Sequence, residues 1–377
     1  MFVLIFLALL GTIYGYAGWR LIPYLPPSAH IGASLALVFL LFAPLLLFRL
    51  RSLPHLAWLT DPLAWVAYLG MGFFTICSTL LVLRDAGGLL LGLVHPVDAG
   101  LDAGIDAGTF GLAVVAAGYG FYHARRTPAV SRVEIPVENL PDPLVGLRIV
   151  QISDLHVGPT IKGPFVKRVV ARVNGLHPEL IVFTGDLADG AVERLAPHTA
   201  ALAQLTAPLG VYFCTGNHEY YSGVESWTGE ARRLGFDVLI NEGRQIDFGG
   251  GRIALAGTTD FSAGEMVPGH ESDPARALAA SDGADVRILL AHQPRSIEAA
   301  SQAGCHLQLS GHTHGGQFVP WKYAIPLQQP FVAGLHKVRG TWIYVNRGTG
   351  YWGPPLRLGV PSEIALLTLT RESRTAD

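Results

Sequence analysis

Three uncharged apolar runs fill the front of this chain: Phe2 to Trp19, Ile31 to Phe48 and Leu63 to Leu83. At about 18–21 residues each, they are long enough for a helix to cross a hydrocarbon core. Ala107 to Tyr122 is shorter and contains glycine, so residues 1–122 are expected to hold a transmembrane region of three to four helices. Gly87 to Val94 is too short to span and is expected to lie in the interface. A single run of this kind is more often a buried helix of a soluble protein, but several in succession exclude that reading. A cleaved signal peptide is excluded too, because Phe2 to Trp19 lacks a basic start and further spans follow it. Composition agrees: half of the residues are apolar and only 15% are charged, which is unusual for a soluble enzyme.

Basic residues suggest an orientation. Arg49 and Arg51 lie between the second and third runs, and Arg125, Arg126 and Arg132 follow the fourth; Arg20 and Arg84 fall on the opposite side. The positive-inside rule then places the C-terminal domain at the cytoplasmic face of a bacterial-type inner or plasma membrane. If the fourth run does not cross, that domain moves to the other side.

Residues 123–143, where Arg, Pro, Ser and Glu replace the apolar spans, read as a linker, and 144–377 as a separate domain. In the latter, apolar runs read as buried strands over Leu147–Ser153, Leu180–Thr184, Gly210–Thr215, Val286–Ala291 and Leu307–Ser310. Helical patterns follow the first three, at Pro164–Asn174, Gly190–Gln204 and Val224–Leu234. Short runs at Arg252–Ala256, Thr341–Val345 and Ile364–Leu369 lack intervening helices and suggest antiparallel additions. This is an α/β pattern.

Each of the five buried runs stops at a polar cluster: Asp154-Leu155-His156, Gly185-Asp186, Gly216-Asn217-His218-Glu219, Ala291-His292 and Gly311-His312-Thr313-His314. Ligands collect beyond the carboxyl ends of strands in such sheets, so the five clusters are expected on one rim. Together they supply enough Asp, His and Asn to hold two divalent metals. Oxygen and imidazole donors without thiolate suit Mn, Fe, Zn, Co or Mg. Paired metals of this kind hydrolyse phosphate esters. Taken singly, His292 reads as an ordinary histidine, Asp186 as a turn residue and Asn217 as a cap; the complete ordered set argues against that.

At these residues the chain resembles the calcineurin-like metallophosphoesterase superfamily, whose pattern D-x-H, G-D, G-N-H-[DE], H and G-H-x-H stands here intact. Gly311 to Gln317, Asn346 to Gly350 and Pro361 to Ile364 are similar to its membrane-anchored, YkuE/YaeI-like branch. The resemblance covers roughly Val145 to Thr370, with Ser362 standing where proline is expected. It implies a four-layer α/β/β/α metallophosphoesterase sandwich, here preceded by an N-terminal helical transmembrane domain. It further implies that Asp154, His156, Asp186 and His314 hold one metal, and that Asp186 bridges to a second held by Asn217, His292 and His312. His218 would be the general acid that protonates the leaving oxygen, with Glu219 orienting it.

The remaining signals are weaker. Asp189 reads as a helix N-cap; His177, His198, His270, His306 and His336 match no motif and read as structural or surface residues. Asn346 and Arg347 follow an apolar strand and are candidates for a phosphate contact. Asp98, Asp102 and Asp106 recur every four residues and read as a solvated acidic stripe. No charged pathway is evident within the spans. Cys77, Cys214 and Cys305 form no disulfide framework, in keeping with a reducing compartment. Net charge near zero argues against nucleic acid.

Anchoring an esterase in the lipid bilayer makes sense when its substrate is there too. The aromatic stretch Phe318 to Phe331 is either a lip for a lipid tail or a packing loop. The leading expectation is hydrolysis of a phosphodiester or pyrophosphate in a phospholipid or lipid-linked substrate, similar to UDP-2,3-diacylglucosamine hydrolases. The alternatives are a tethered phosphodiesterase or phosphatase acting on soluble nucleotides, and a non-catalytic metal-binding scaffold.

Overall fold

A run of twenty uncharged residues satisfies its backbone in lipid only by coiling into a helix. In the computed structural model, which describes residues 2–51, 54–92 and 99–372, the front of the chain does so four times. The helices are α1 (Phe2–Leu21), α2 (His30–Arg51), α3 (Thr60–Gly92) and α4 (Ala99–Arg125). All four are long and apolar enough to cross a membrane. The fourth run, short by its own sequence, lies inside a helix of 27 residues. Gly87 to Gly92, expected as a separate interfacial piece, is instead the end of α3; Leu93 and Val94 lie outside the described residues.

The helical unit also takes in two short segments from far along the chain, Phe318–Pro320 and Gly353–Leu358. Within it the Arg357 N–H donates to the Gly120 carbonyl at 2.9 Å. Gly72 lies so close to Leu356 and Pro354 that a side chain there would have to displace them.

Contrary to the sequence reading, this unit contains an internal charge network. Arg20 of α1 meets Asp106 of α4 at 3.1 Å and Asp85 of α3 at 3.1 Å. Arg84 of α3 reaches the same two carboxylates at 2.9 and 2.8 Å. The Tyr16 hydroxyl donates to Asp85 at 2.6 Å and the Tyr24 hydroxyl to Asp106 at 2.5 Å. Asp106 is therefore buried and paired rather than solvated; Asp98 and the Asp102 side chain lie outside the described residues. Ionisable groups within such helices are tolerated when they pair, and removing one partner of a buried pair costs about 3–5 kcal/mol. Asp106→Ala, which leaves two arginines facing one carboxylate, is expected to lower the detergent-solubilised protein's melting temperature and its monodisperse yield. An unchanged melting curve would rule out a structural role for the network.

The C-terminal unit contains two six-stranded sheets. The first is ordered β1 (Ala129–Val137), β12 (Glu363–Arg371), β2 (Arg148–Ile152), β3 (Leu180–Thr184), β4 (Val211–Cys214) and β5 (Asp237–Val238). The second is ordered β10 (Gly334–Val338), β11 (Thr341–Val345), β9 (Leu307–Ser310), β8 (Val286–Leu290), β7 (Gly251–Gly257) and β6 (Glu242–Phe248). Ile149, Val182 and Leu367 of the first sheet share one core with Leu255, Ile288 and Leu309 of the second. Outside the first sheet, Phe183 and Phe213 pack at 5.6 Å, and α5 (Gly163–Asn174) turns Phe165, Val166 and Val169 inward. Outside the second, Ala256 and Leu289 pack on Leu278 and Ala300. Strands covered on both faces are apolar throughout, which is why β3 reads Leu-Ile-Val-Phe-Thr.

Two expectations change. Residues 123–143 are not simply a linker: they carry β1, an edge strand pairing parallel with β12, and an edge tolerates its Pro136. Of the three runs expected as antiparallel additions, β12 runs antiparallel to β2 but parallel to β1. β7 and β11 each pair antiparallel on one side and parallel, with β8 and β9, on the other.

Candidate metal centre

Parallel strands β2, β3 and β4 in one sheet, and β8 and β9 in the other, all end where the polar clusters begin. The loops beyond them approach closely enough that glycine is obligatory at several points, two of them against the carboxylates. A Cβ at Gly216 would strike the Asp186 carboxylate, and one at Gly311 would strike Ser153 and the Asp154 carboxylate. The backbone is strained at the functional side chains themselves. Asp154, His156, Asp186, His312 and His314 adopt left-handed φ values of 53°, 49°, 57°, 70° and 51°. Such conformations cost about 1–3 kcal/mol each and cluster at ligand clamps.

The side chains converge in two groups, Asp154 with His156 and His314, and Asp186 with His292 and His312. In the first, the Nε2 atoms of His156 and His314 stand 3.0 Å apart, and His314 Nε2 is 3.4 Å from Asp154 Oδ1. In the second, Asp186 Oδ2 lies 3.2 Å from His292 Nε2, and it is also 3.6 Å from His156 Nε2. One carboxylate therefore touches both groups. Asn217 joins the second group through its Oδ1, 3.0 Å from His312 Nδ1.

Outer contacts fix the imidazoles with one nitrogen turned inward. His292 Nδ1 donates to the Thr184 carbonyl at 2.7 Å, and His156 Nδ1 donates to Asp189 at 3.0 Å. With Nδ1 paired outward, each ring turns Nε2 toward the carboxylates. Burial opposes a charge on His292, but Asp186 outweighs it and raises that ring well above the usual histidine range. A cation would displace that proton and take the lone pair, as in metal-ligating histidines. His292 Nε2 is buried and faces Asp186 Oδ2 at 3.2 Å with no well-directed hydrogen bond, a place that a cation would fill. Burial, aided by His292, holds His312 down to about 3, keeping its ring neutral, the form that binds metal. Asp186 is buried, which opposes ionisation, but His292, His218 and His156 outweigh that and hold it well below the carboxylate range. Burial raises the nearby Cys214 thiol well above its usual range, so it stays neutral and the donors remain N and O. The residues fit a pair of divalent ions.

Asp189 is the residue that sequence reasoning misplaced. Helix α6 (Val192–Thr199) starts further along and has Ala191 at its N-cap position. Asp189 Oδ1 instead accepts from His156 Nδ1 at 3.0 Å and from His218 Nδ1 at 2.6 Å. A second carboxylate three residues after Asp186 in one strand-end loop was the available signal. Glu219 also acts differently from expectation. It accepts backbone N–H bonds from Gly216, Asp186 and Leu187 at 2.7, 2.9 and 2.8 Å, tying two of the loops together, while the hydrogen bond to the His218 ring comes from Asp189. Burial alone would depress His218, but Asp186 and Asp189 raise it to about 9. Asn346 is buried and closes its own turn by accepting the Gly348 N–H at 2.8 Å, and Arg347 leans on Glu363 at 3.4 Å. Among the described residues the three cysteines are free and buried.

The profile of a family described as "Calcineurin-like phosphoesterase" matches residues 147–316. The chain is 42% identical over 267 residues to "Transmembrane protein with metallophosphoesterase domain" of Danio rerio, covering 68% of this chain and 61% of that one. It is 36% identical over 264 residues to an "Uncharacterized metallophosphoesterase" of Helicobacter pylori strain J99, covering 69% of each. It is 32% identical over 270 residues to "Uncharacterized metallophosphoesterase YkuE" of Bacillus subtilis, covering 69% of this chain and 92% of that one. The chain spans about three fifths of the length of the animal relatives it matches.

Proposed function

Since the chain belongs to the calcineurin-like phosphoesterase family, we propose that it is a membrane-held, metal-dependent enzyme cleaving phosphodiester or pyrophosphate bonds of a lipid-linked substrate. Asp154, His156, Asp186 and His314 would hold one cation; Asp186, Asn217, His292 and His312 would hold the other. The observation carrying this reading is Asp186, whose one oxygen lies within 3.6 Å of His156 and 3.2 Å of His292, in reach of both donor groups.

When bound, two such cations neutralise phosphoryl charge and make water acidic enough to attack at neutral pH. The chain supplies the rest. Thr184 and Asp189 set the ring orientations of His292 and His156. Glu219 fixes the turn from which Asn217 and His218 project. His218, with Nδ1 on Asp189, keeps a proton on Nε2 at neutral pH and delivers it to the departing oxygen. Glu219 thus serves as a positioning residue and His218 as the acid.

Two features favour a lipid-linked substrate. The described residues include four helices fit to span a bilayer, and the stretch after His314 exposes apolar side chains, with Leu327 87% and Tyr323 69% accessible. The test uses full-length protein in detergent and in bilayer discs, with elemental analysis alongside turnover of a phospholipid diester, a lipid-linked pyrophosphate and soluble nucleotide esters. Two metals per chain and turnover of the lipid compounds that rises in the bilayer are expected. Equal or faster turnover of soluble nucleotides would overturn the lipid assignment and favour a tethered nucleotide phosphoesterase.

A further inference from the structure

His218 has two aromatic neighbours outside the metal donor set, and they come from different elements. Tyr221, on the short helix α7 (Asn217–Ser222), stands 5.2 Å from its ring at 68°. Trp352, in the loop after β11, stands 5.7 Å away at 73°. Neither ring stacks on the imidazole; both stand across it. Both are also open to solvent, Tyr221 at 66% and Trp352 at 49%. Single exposed aromatics need no explanation, but two converging on the residue that faces the leaving group do.

Trp352 is held in place by a buried side chain. Its backbone N–H donates to Gln317 Oε1 at 2.9 Å, and its carbonyl accepts from Gln317 Nε2 at 3.0 Å. Gln317 is 7% exposed, follows His314 by three residues and adopts a left-handed φ of 56°. The loop carrying the last histidine pair thus also sets the position of an exposed indole, an arrangement that packing alone does not require.

We propose that Tyr221 and Trp352 form the leaving-group subsite and select substrates whose departing oxygen carries a flat ring, as in a nucleoside or an aryl alcohol. The proposal rests on the reading of His218 as the proton donor. In the reaction the P–O bond to the ring-bearing group breaks, its electron pair stays on that oxygen, and His218 supplies the proton there. Oxygen from water makes the new bond to phosphorus. The two exposed rings offer faces on which a flat group stacks, and the loss of one stacking partner changes affinity about tenfold. A flexible alkyl chain has no flat face to present and gains buried area alone.

The test uses full-length, manganese-loaded protein in detergent and three symmetrical phosphodiesters: diphenyl, di(5′-thymidyl) and dihexyl phosphate. Tyr221→Ala and Trp352→Ala are each expected to lower the preference for the ring-bearing esters over the dihexyl ester about tenfold, through KM rather than kcat. Trp352→Phe should restore most of it, and melting curves will show whether each variant folds. A loss confined to the thymidyl ester supports a nucleoside as the natural group; a loss shared with the phenyl ester supports flat rings in general. Folded variants with an unchanged preference, or with equal losses on all three esters, overturn the subsite. A loaded wild type that cleaves none of the three but turns over the lipid compounds overturns the subsite; one that turns over neither overturns the phosphoesterase reading itself.

Discussion

Asp186→Asn is expected to lower phosphoesterase turnover by at least about 10³-fold and to reduce bound metal from two ions per chain to fewer than one. Losing an outer partner of a metal ligand ordinarily costs about 10–100-fold, and Asp186 is no outer partner. Its Oδ2 atom lies 3.2 Å from His292 Nε2 and 3.6 Å from His156 Nε2, so one substitution weakens both donor groups. The amide is nearly isosteric and its oxygen can still accept the His218 N–H, which Asp186 Oδ1 now takes at 2.9 Å. The loop should therefore keep its shape, and the effect should be electrostatic. Elemental analysis and steady-state kinetics on one preparation check it. Two retained metals with activity within tenfold of wild type would remove Asp186 from the bridging role.

His218→Gln is expected to lower kcat about 10²–10⁴-fold on esters with alkyl leaving groups. The loss should be under about tenfold on p-nitrophenyl esters, whose leaving group departs without a proton. The pH profile supplies a second readout. His218 is raised to about 9, so it stays protonated through neutrality and loses its proton as pH rises through that value. Cations held by Asp186 would counter its pull, so the alkaline limb of the wild type is expected below about 9. The variant should lack that limb. A limb that persists, or equal losses on both ester classes, assigns the acid to another group.

How far the sequence could be read depended on how local each signal was. β2, β3, β4, β8 and β9 were plain because buried strands are unbroken apolar runs, and each run ends at its own functional side chain. That Asp154, His156, Asp186, Asn217, His292, His312 and His314 gather at one rim was legible for the same reason; their metal-holding role is the proposal above. β1 was not, because an edge strand half-open to solvent carries Arg132, Glu134 and Pro136 and looks like a tether. Asp189 was misread because an acidic residue just before a helix serves equally well as a cap, and only the two rings folding onto it decide the matter. Asp106 was misread because Arg20 and Arg84, its partners, sit on other helices; a repeat of aspartates in isolation looks solvated. The companionship of Gln317 and Trp352 was equally invisible, being hydrogen bonds from one side-chain amide to a backbone 35 residues away.

The left-handed backbone at Asp154, His156, Asp186, His312 and His314 has a consequence for stability. Glycine would relax each of those five positions at the cost of a freer unfolded chain, so the strain is kept for the side chain that each position carries. Five carboxylate and imidazole side chains held in that region place local chemistry ahead of thermal robustness.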